Sequence, residues 1–391
     1  MPASSAHPAS PAPCRGTTIE AVDRELARCA GQWRYTAGPA RGASLVRAPL
    51  RLDLGMAGPA DCFPYCAVAA ASSINASVLI DGVPPITASV HPGTGDHPVW
   101  SLGDAKVTAA SLADLKGPLP EMEAVARTLA TRVLLLPSAD DLIALLGGRP
   151  AIALASTLPH GTGLGASSAL WGSLVLALGR ALNVELDYKT VHLVVLRSEL
   201  ELGAAGGWED LTCLLGGWKL AASTPAQSLV PAVEHLCPSP AARDGLVRCL
   251  HLLWTGRARG SRAPFARLIH QLLEGVASVW SSVARFAAIN SRLAAALVGG
   301  DTAYIREALA LQWAAWTALT GDGTCTSSEQ AFVAAVGELG GAARFAGAGD
   351  GGCMLVWSPE NAHAAVEQLA RSCLPHSRWL SWQLAQGVFV S

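Results

Sequence analysis

Charge is scarce in this chain. Charged residues make up only 15% of it, and the formal net charge is −2. That excludes a basic nucleic-acid face and an acidic interaction tail. The ten cysteines, Cys14, Cys29, Cys62, Cys66, Cys213, Cys237, Cys249, Cys325, Cys353 and Cys373, contain no C-x-x-C pair and no Cys/His array with zinc spacing. A chain of 391 residues needs no stapling, so reduced thiols are expected. No basic segment followed by an apolar stretch opens the sequence, and the longest apolar run, Ala169 to Leu182, is short and carries Arg180. A membrane span is therefore not expected, and a cytoplasmic location is. Internal repeats are also missing, which excludes a solenoid or propeller.

Half of the residues are apolar, ample for one or two cored domains. Residues 1–17 are rich in Pro, Ala and Ser and read as a disordered leader. A helix is expected over Ile19–Cys29, strands over Ser44–Leu54 and Ala76–Val90, and a further strand over Ala151–Leu154 that runs through a glycine loop into the helix Ala169–Leu182. Beyond about Pro225 helices are expected over Gly245–Trp254, Phe265–Val298, Tyr304–Leu319 and Ser328–Leu339. Strands at Ala342–Phe345 and Cys353–Trp357 and a helix over Pro359–Cys373 close an α+β unit.

The strongest signal is Pro159-His160-Gly161-Thr162-Gly163-Leu164-Gly165-Ala166-Ser167-Ser168. A loop of small residues opening a helix presents backbone N–H groups and a positive dipole end to phosphate, and glycines let that backbone come close. The G-K-[ST] ending of a P-loop is absent, and only a loose G-x-G-x-x-A survives of a dinucleotide fingerprint. A hydroxyl at Ser167 or Ser168 could cap the helix or reach a phosphate-bound Mg²⁺.

The loop matches the phosphate motif P-x-x-x-G-L-G-x-S-S of the GHMP kinases. Arg47-Ala48-Pro49-Leu50-Arg51-Leu52-Asp53-Leu54 resembles the opening motif of the fucokinase-like members, and Gly347-Ala348-Gly349-Asp350-Gly351-Gly352-Cys353-Met354 resembles their late glycine-rich loop. Gly206-Gly207-Trp208-Glu209-Asp210 resembles the fucokinase segment G-G-W-Q-D. The resemblance implies an α+β GHMP kinase fold: a ribosomal-protein-S5-domain-2-like N-terminal α/β domain over residues 18–225 and a ferredoxin-like C-terminal domain over 226–391. It implies ATP and Mg²⁺, and a sugar 1-kinase acting on the anomeric hydroxyl of L-fucose. The alternatives are another sugar 1-kinase, for heptose 7-phosphate or arabinose, or a catalytically impaired sugar-sensing relative. A separate fucose 1-phosphate nucleotidyltransferase is the expected user of the product, and neither nucleic acid nor membrane is an expected partner.

Residue by residue, the resemblance casts Asp210 as the group that accepts the sugar hydroxyl proton and Arg51 as the cation that orients it. Pro159, Gly161, Gly163, Leu164, Gly165, Ala166, Ser167 and Ser168 would hold the nucleotide. Glu199 would share Mg²⁺ with Ser167, with Glu201 as the alternative carboxylate. Asp61, Gly207, Trp208, Gly349 and Gly351 would contact substrate, and Lys219 and the Thr255-Gly256-Arg257-Ala258-Arg259 stretch are weaker candidates. Three departures from the family pattern stand out: the opening motif gains one residue and loses its tryptophan over Leu54–Tyr65, Asp350 replaces a glycine, and Arg257 replaces the lysine of T-G-K-T-R. A carboxylate near phosphates is expected to face solvent or to weaken nucleotide binding.

Overall fold

The computed structural model describes residues 15–30, 43–62, 65–67, 69–203, 207–227, 229–258, 268, 271, 274–321 and 324–391. Most of the expected leader, Phe63-Pro64, Gly206, Arg259 and much of the start of the helix expected over Phe265–Val298 lie outside these residues. Helix α1 (Arg15–Ala30) begins within the expected leader and buries Val22, Leu26 and Cys29, its apolar stripe.

Among the described residues, nine strands and four helices follow α1 in the first half. These are β1 (Ser44–Ala48), β2 (Leu50–Gly55), β3 (Ala71–Ile80), β4 (Ile86–Pro92), β5 (Val99–Leu102), β6 (Ala105–Thr108), α2 (Pro120–Thr128), α3 (Asp141–Leu145), β7 (Pro150–Ser156), α4 (Ala166–Ala181), α5 (Tyr188–Glu201), β8 (Trp218–Ser223) and β9 (Ala232–Leu236). The second half contributes α6 (Pro240–Cys249), β10 (Leu250–Trp254), α7 (Ala277–Gly299), α8 (Thr302–Thr320), α9 (Ser327–Glu338), β11 (Ala342–Phe345), β12 (Cys353–Trp357), α10 (His363–Cys373), β13 (Arg378–Leu380), β14 (Trp382–Leu384) and β15 (Phe389–Val390).

Three sheets organise these elements. One has the order β15-β1-β4-β7-β5-β6, a second β11-β12-β10-β13, and a third β14-β3-β8-β9 with β2 also on β3. Helix α4 packs on the first sheet and is buried along nearly its whole length, as its Ala- and Leu-rich composition without charge before Arg180 requires. Pairing crosses residue 225 in both directions: β9 extends β8, while β14 and β15 return to β3 and β1.

Leu250–Trp254 is a strand rather than the end of a helix. Helix α6 stops at Cys249, and β10 becomes a central strand bonded to β12 on one side and β13 on the other. Buried Leu250, Leu252 and Leu253 continue the apolar run of the helix, so periodicity alone does not mark the break. Strand β9, an edge strand with mostly exposed residues, carries no strong alternation and was not expected at all.

Candidate active site

Strand β7 delivers the chain into the glycine loop, and Gly161, Gly163 and Gly165 all take left-handed backbone angles there. Such angles are open to glycine at little cost. Gly165 is the N-cap of α4 with φ 72°, and no side chain caps its amides, so the first turn's N–H groups are left for a ligand or solvent. The backbone of Arg51 in β2 donates to the Leu164 carbonyl at 3.0 Å, which ties the opening motif directly to the loop. The Thr162 hydroxyl is buried without a hydrogen-bond partner. A buried hydroxyl and free helix-terminal amides in a loop of glycines fit a polyphosphate.

Asp210 opens the short 3-10 turn Asp210–Leu215. A β-carbon at Gly165 would stand 3.1 Å from Asp210 Oδ1, so the carboxylate lies against the start of α4. Arg51 Nη2 is 2.8 Å from the same oxygen. The other guanidinium nitrogen pairs with Glu209 and lies 3.0 Å from Asp53 Oδ2, an ion pair without hydrogen-bond alignment. Arg51 is thus a buried cation among three carboxylates. Burial works against its charge, but the fields of Glu209, Asp210, Asp53 and Asp61 outweigh that and push its pKa above the ordinary arginine value. Burial raises the Glu209 and Asp53 carboxyls, with Arg51 opposing in both cases. Asp210 keeps a quarter of its side chain exposed, more than Asp53 or Glu209. It is the member of the cluster open to an incoming hydroxyl.

Asp61 lines the same cluster. Burial and then the neighbouring Asp210 charge push its carboxyl up to about 7. Its carbonyl accepts from the Trp208 N–H, Cys62 bridges to Gly207, and a β-carbon at Gly207 would overlap Asp61 Oδ2. Only glycine fits there. Trp208, expected at the substrate, is 1% exposed in a cluster with Met56, Tyr65, Phe286 and Trp316, and its buried indole nitrogen has no hydrogen-bond partner.

The serine that faces Glu199 is Ser168, not Ser167. Ser168 Oγ donates to Glu199 Oε1 at 2.7 Å, whereas Ser167 is exposed and accepts from the Trp171 indole. One residue along a helix turns a side chain by about 100°, and that rotation carries Ser168 toward α5 and Ser167 toward solvent. Burial pushes the Glu199 carboxyl up to about 7, against the Ser168 hydrogen bond that favours its ionised form. Glu201, the alternative carboxylate, is held by Arg127 and Arg197 and its pKa is lowered by them despite some burial. One carboxylate, one hydroxyl and substrate phosphates make a donor set that suits Mg²⁺.

The late glycine turn closes the other side of the loop. Cys353 N donates to the Thr162 carbonyl at 2.7 Å, and a β-carbon at Gly352 would stand 2.7 Å from that same oxygen. Gly347 meets Gly163. Gly349 and Gly351, expected at the substrate, pack against the Thr324 and Arg257 carbonyls. Asp350 does not stand free beside the phosphates, because Arg257 pairs with it at 2.9 Å. Lys219 is fully buried and donates to Ser77 Oγ and to the Gly216 and Gly217 carbonyls. Arg344 has no local signal in its own segment. It is buried completely on β11, donates to the Phe345 and Asp53 carbonyls, and supplies a second cation beside Asp53 and Glu209.

Residues 124–217 match the family described as GHMP kinases N terminal domain. The L-fucokinase/L-fucose-1-P guanylyltransferase of Bacteroides fragilis is 24% identical over 243 residues, which cover 58% of this chain and 25% of that one. This chain spans a quarter or less of the length of the curated relatives it matches. Among solved structures, the Lin0012 protein of Listeria innocua superposes with a TM-score of 0.68 at 15% identity over 90% of this chain and 99% of that one. The Lactococcus lactis galactokinase complexed with galactose does so with a TM-score of 0.64 at 12% identity over 96% of this chain and 100% of that one. With the glycine loop opening α4 and the family match running from α2 to the end of the Asp210 turn, this chain carries a GHMP kinase N-terminal domain and has the GHMP kinase fold.

Proposed function

We propose that this chain is an ATP-dependent kinase that phosphorylates a sugar, with the anomeric hydroxyl of L-fucose as acceptor. The observation that carries the reading is the position of Asp210: paired with Arg51 and set against Gly165, the N-cap of the phosphate-loop helix. A phosphoryl group held by the loop amides would then lie beside the one accessible carboxylate of the cluster. Asp210 accepts the acceptor's hydroxyl proton as the oxygen approaches phosphorus, and Arg51, 2.8 Å from it, orients the carboxylate. Positioning carries most of the rate in such a transfer, and buried Arg51 provides it by tying β2, the loop and the Asp210 turn together. Glu199 and Ser168 are the residues that would hold Mg²⁺, which neutralises phosphate charge when bound. Asp61 offers a hydrogen-bond acceptor to a sugar hydroxyl at the inner edge of the cluster.

The name of the Bacteroides fragilis relative supports fucose, and it also pairs the kinase with a guanylyltransferase. A separate nucleotidyltransferase consuming the sugar 1-phosphate is accordingly the expected partner. Among the described residues no helix is long and apolar enough to cross a membrane. The test is an ADP-release assay with Mg-ATP across L-fucose, L-galactose, D-arabinose and heptose 7-phosphate. Turnover of L-fucose above the others is expected; turnover of another sugar reassigns the acceptor, and turnover of none refutes the kinase reading.

A further inference from the structure

Two of the departures from the family pattern, Arg257 and Asp350, meet in space. Arg257, on the segment that follows β10, is 93 residues from Asp350, yet its Nη1 donates to Asp350 Oδ1 at 2.9 Å. Its Nη2 reaches both oxygens of Glu329, at 3.2 and 3.1 Å. Glu329 is only 2% exposed and also completes the capping box of α9 with Thr326. One guanidinium therefore joins three pieces of chain: its own segment, the start of α9 and the late glycine turn.

Main-chain bonds interlock the same pieces. Gly352 N donates to the Arg257 carbonyl at 2.8 Å, and Thr255 donates to the Gly352 carbonyl through both N and Oγ1. Asp350 N donates to Thr324, and the Asp350 backbone is held at φ 59°, a left-handed angle that disfavours any residue with a β-carbon. The far face of the turn lies backbone against backbone on the phosphate loop, at Gly347–Gly163 and Gly352–Thr162, with no room for a methyl group at Gly352.

We propose that Arg257 and Asp350 form one compensated unit, a latch that seats the late glycine turn against the phosphate loop and so sets the affinity for nucleotide. Both are positioning residues. The arginine's planar fork spans two carboxylates at once, which a lysine's single ammonium cannot do in the same geometry. The Asp350 carboxylate is neutralised locally by Arg257, and its removal leaves the turn less firmly held. This rests on the nucleotide reading above.

The test is isothermal titration of Mg-ATP into the full chain, with steady-state kinetics in parallel. Asp350→Asn removes a half-exposed pair and is expected to weaken ATP binding about twofold to fivefold. Arg257→Met also strands buried Glu329 and is expected to cost about tenfold or more. The double variant should bind within about twofold of Arg257→Met, because the two residues act through one contact. The KM for ATP should rise while kcat and the KM for the sugar stay within about threefold, and Asp350→Glu should recover most of the loss. If Arg257→Met does not fold, Arg257→Lys carries the same test with an intermediate loss. Tighter binding by Asp350→Asn, multiplicative effects in the double variant, or single variants equal to the unmodified chain would each overturn the latch while leaving the nucleotide reading intact. No ATP binding by the unmodified chain would overturn both.

Discussion

Asp210→Asn separates an enzyme from a binding protein more sharply than any other substitution. Asparagine keeps the shape of the side chain, and its carbonyl oxygen can still accept from Arg51 Nη2, which lies 2.8 Å away. Three carboxylates, Asp53, Glu209 and Asp61, remain within the field of Arg51, so the buried cation is not stranded. With Asp210 a quarter exposed, the change in folding free energy should stay within about 1 kcal/mol. The rate should respond far more. General-base loss costs roughly 10²–10⁴ in rate, or about 2.7–5.4 kcal/mol at 1.36 kcal/mol per decade. In the proposed complex ATP would contact the loop and the sugar would keep its other partners, so the loss belongs in kcat rather than KM. The assay is steady-state ADP release beside a thermal melt. A folded Asp210→Asn protein within about threefold of the parent kcat would refute the role given to this carboxylate.

Gly165→Ala places a β-carbon at φ 72° and 3.1 Å from Asp210 Oδ1, so it should cost about 1–2 kcal/mol in stability and abolish measurable ATP binding; a melt and a nucleotide titration check both. Ser168→Ala should raise the Mg²⁺ concentration needed for half-maximal activity about tenfold or more, while Ser167→Ala should not, and a Mg²⁺ titration of the two distinguishes them. Burial lowers the Lys219 pKa to about 7 against an unfolded value of 10.5, with Cys213 opposing the shift. Between those values the unfolded chain binds more protons, so wild-type stability should gain up to about 1.4 kcal/mol per pH unit from this residue. Denaturant melts at pH 7, 8 and 9 should show Lys219→Met lacking that gain, and equal pH slopes would refute it.

The glycine loop and α4 were legible because a strand, a run of small residues and an uncharged helix follow one another within 33 residues, Pro150 to Leu182. Arg51 and Asp210 were legible only through resemblance, since nothing local in either segment says that they meet. The turn of a helix decided between Ser167 and Ser168, and two adjacent serines look alike in sequence until the partner helix α5 is placed. Leu250–Trp254 misled because a strand central to a sheet is apolar throughout, as a buried helix is. The Arg344 to Asp53 link spans 291 residues, and such a link has no sequence signature. Asp350 read as a defect for the same reason: its partner, Arg257, was noted only as a substitution of its own.

The return of β14 and β15 to the first-half sheets bears on how this chain acquires its structure. Ser391 and Leu45 exchange main-chain hydrogen bonds across 346 residues, and Asp81 accepts from Ser381 across 300. Contacts of such sequence separation form late, because loop closure must precede the bonds that reward it. Until residues 382–391 arrive, β1 and β3 each present an open edge, and open edges pair with other chains. A nascent or truncated form that lacks those ten residues is therefore the state most exposed to aggregation, although the glycine loop and Asp210 would already be in hand.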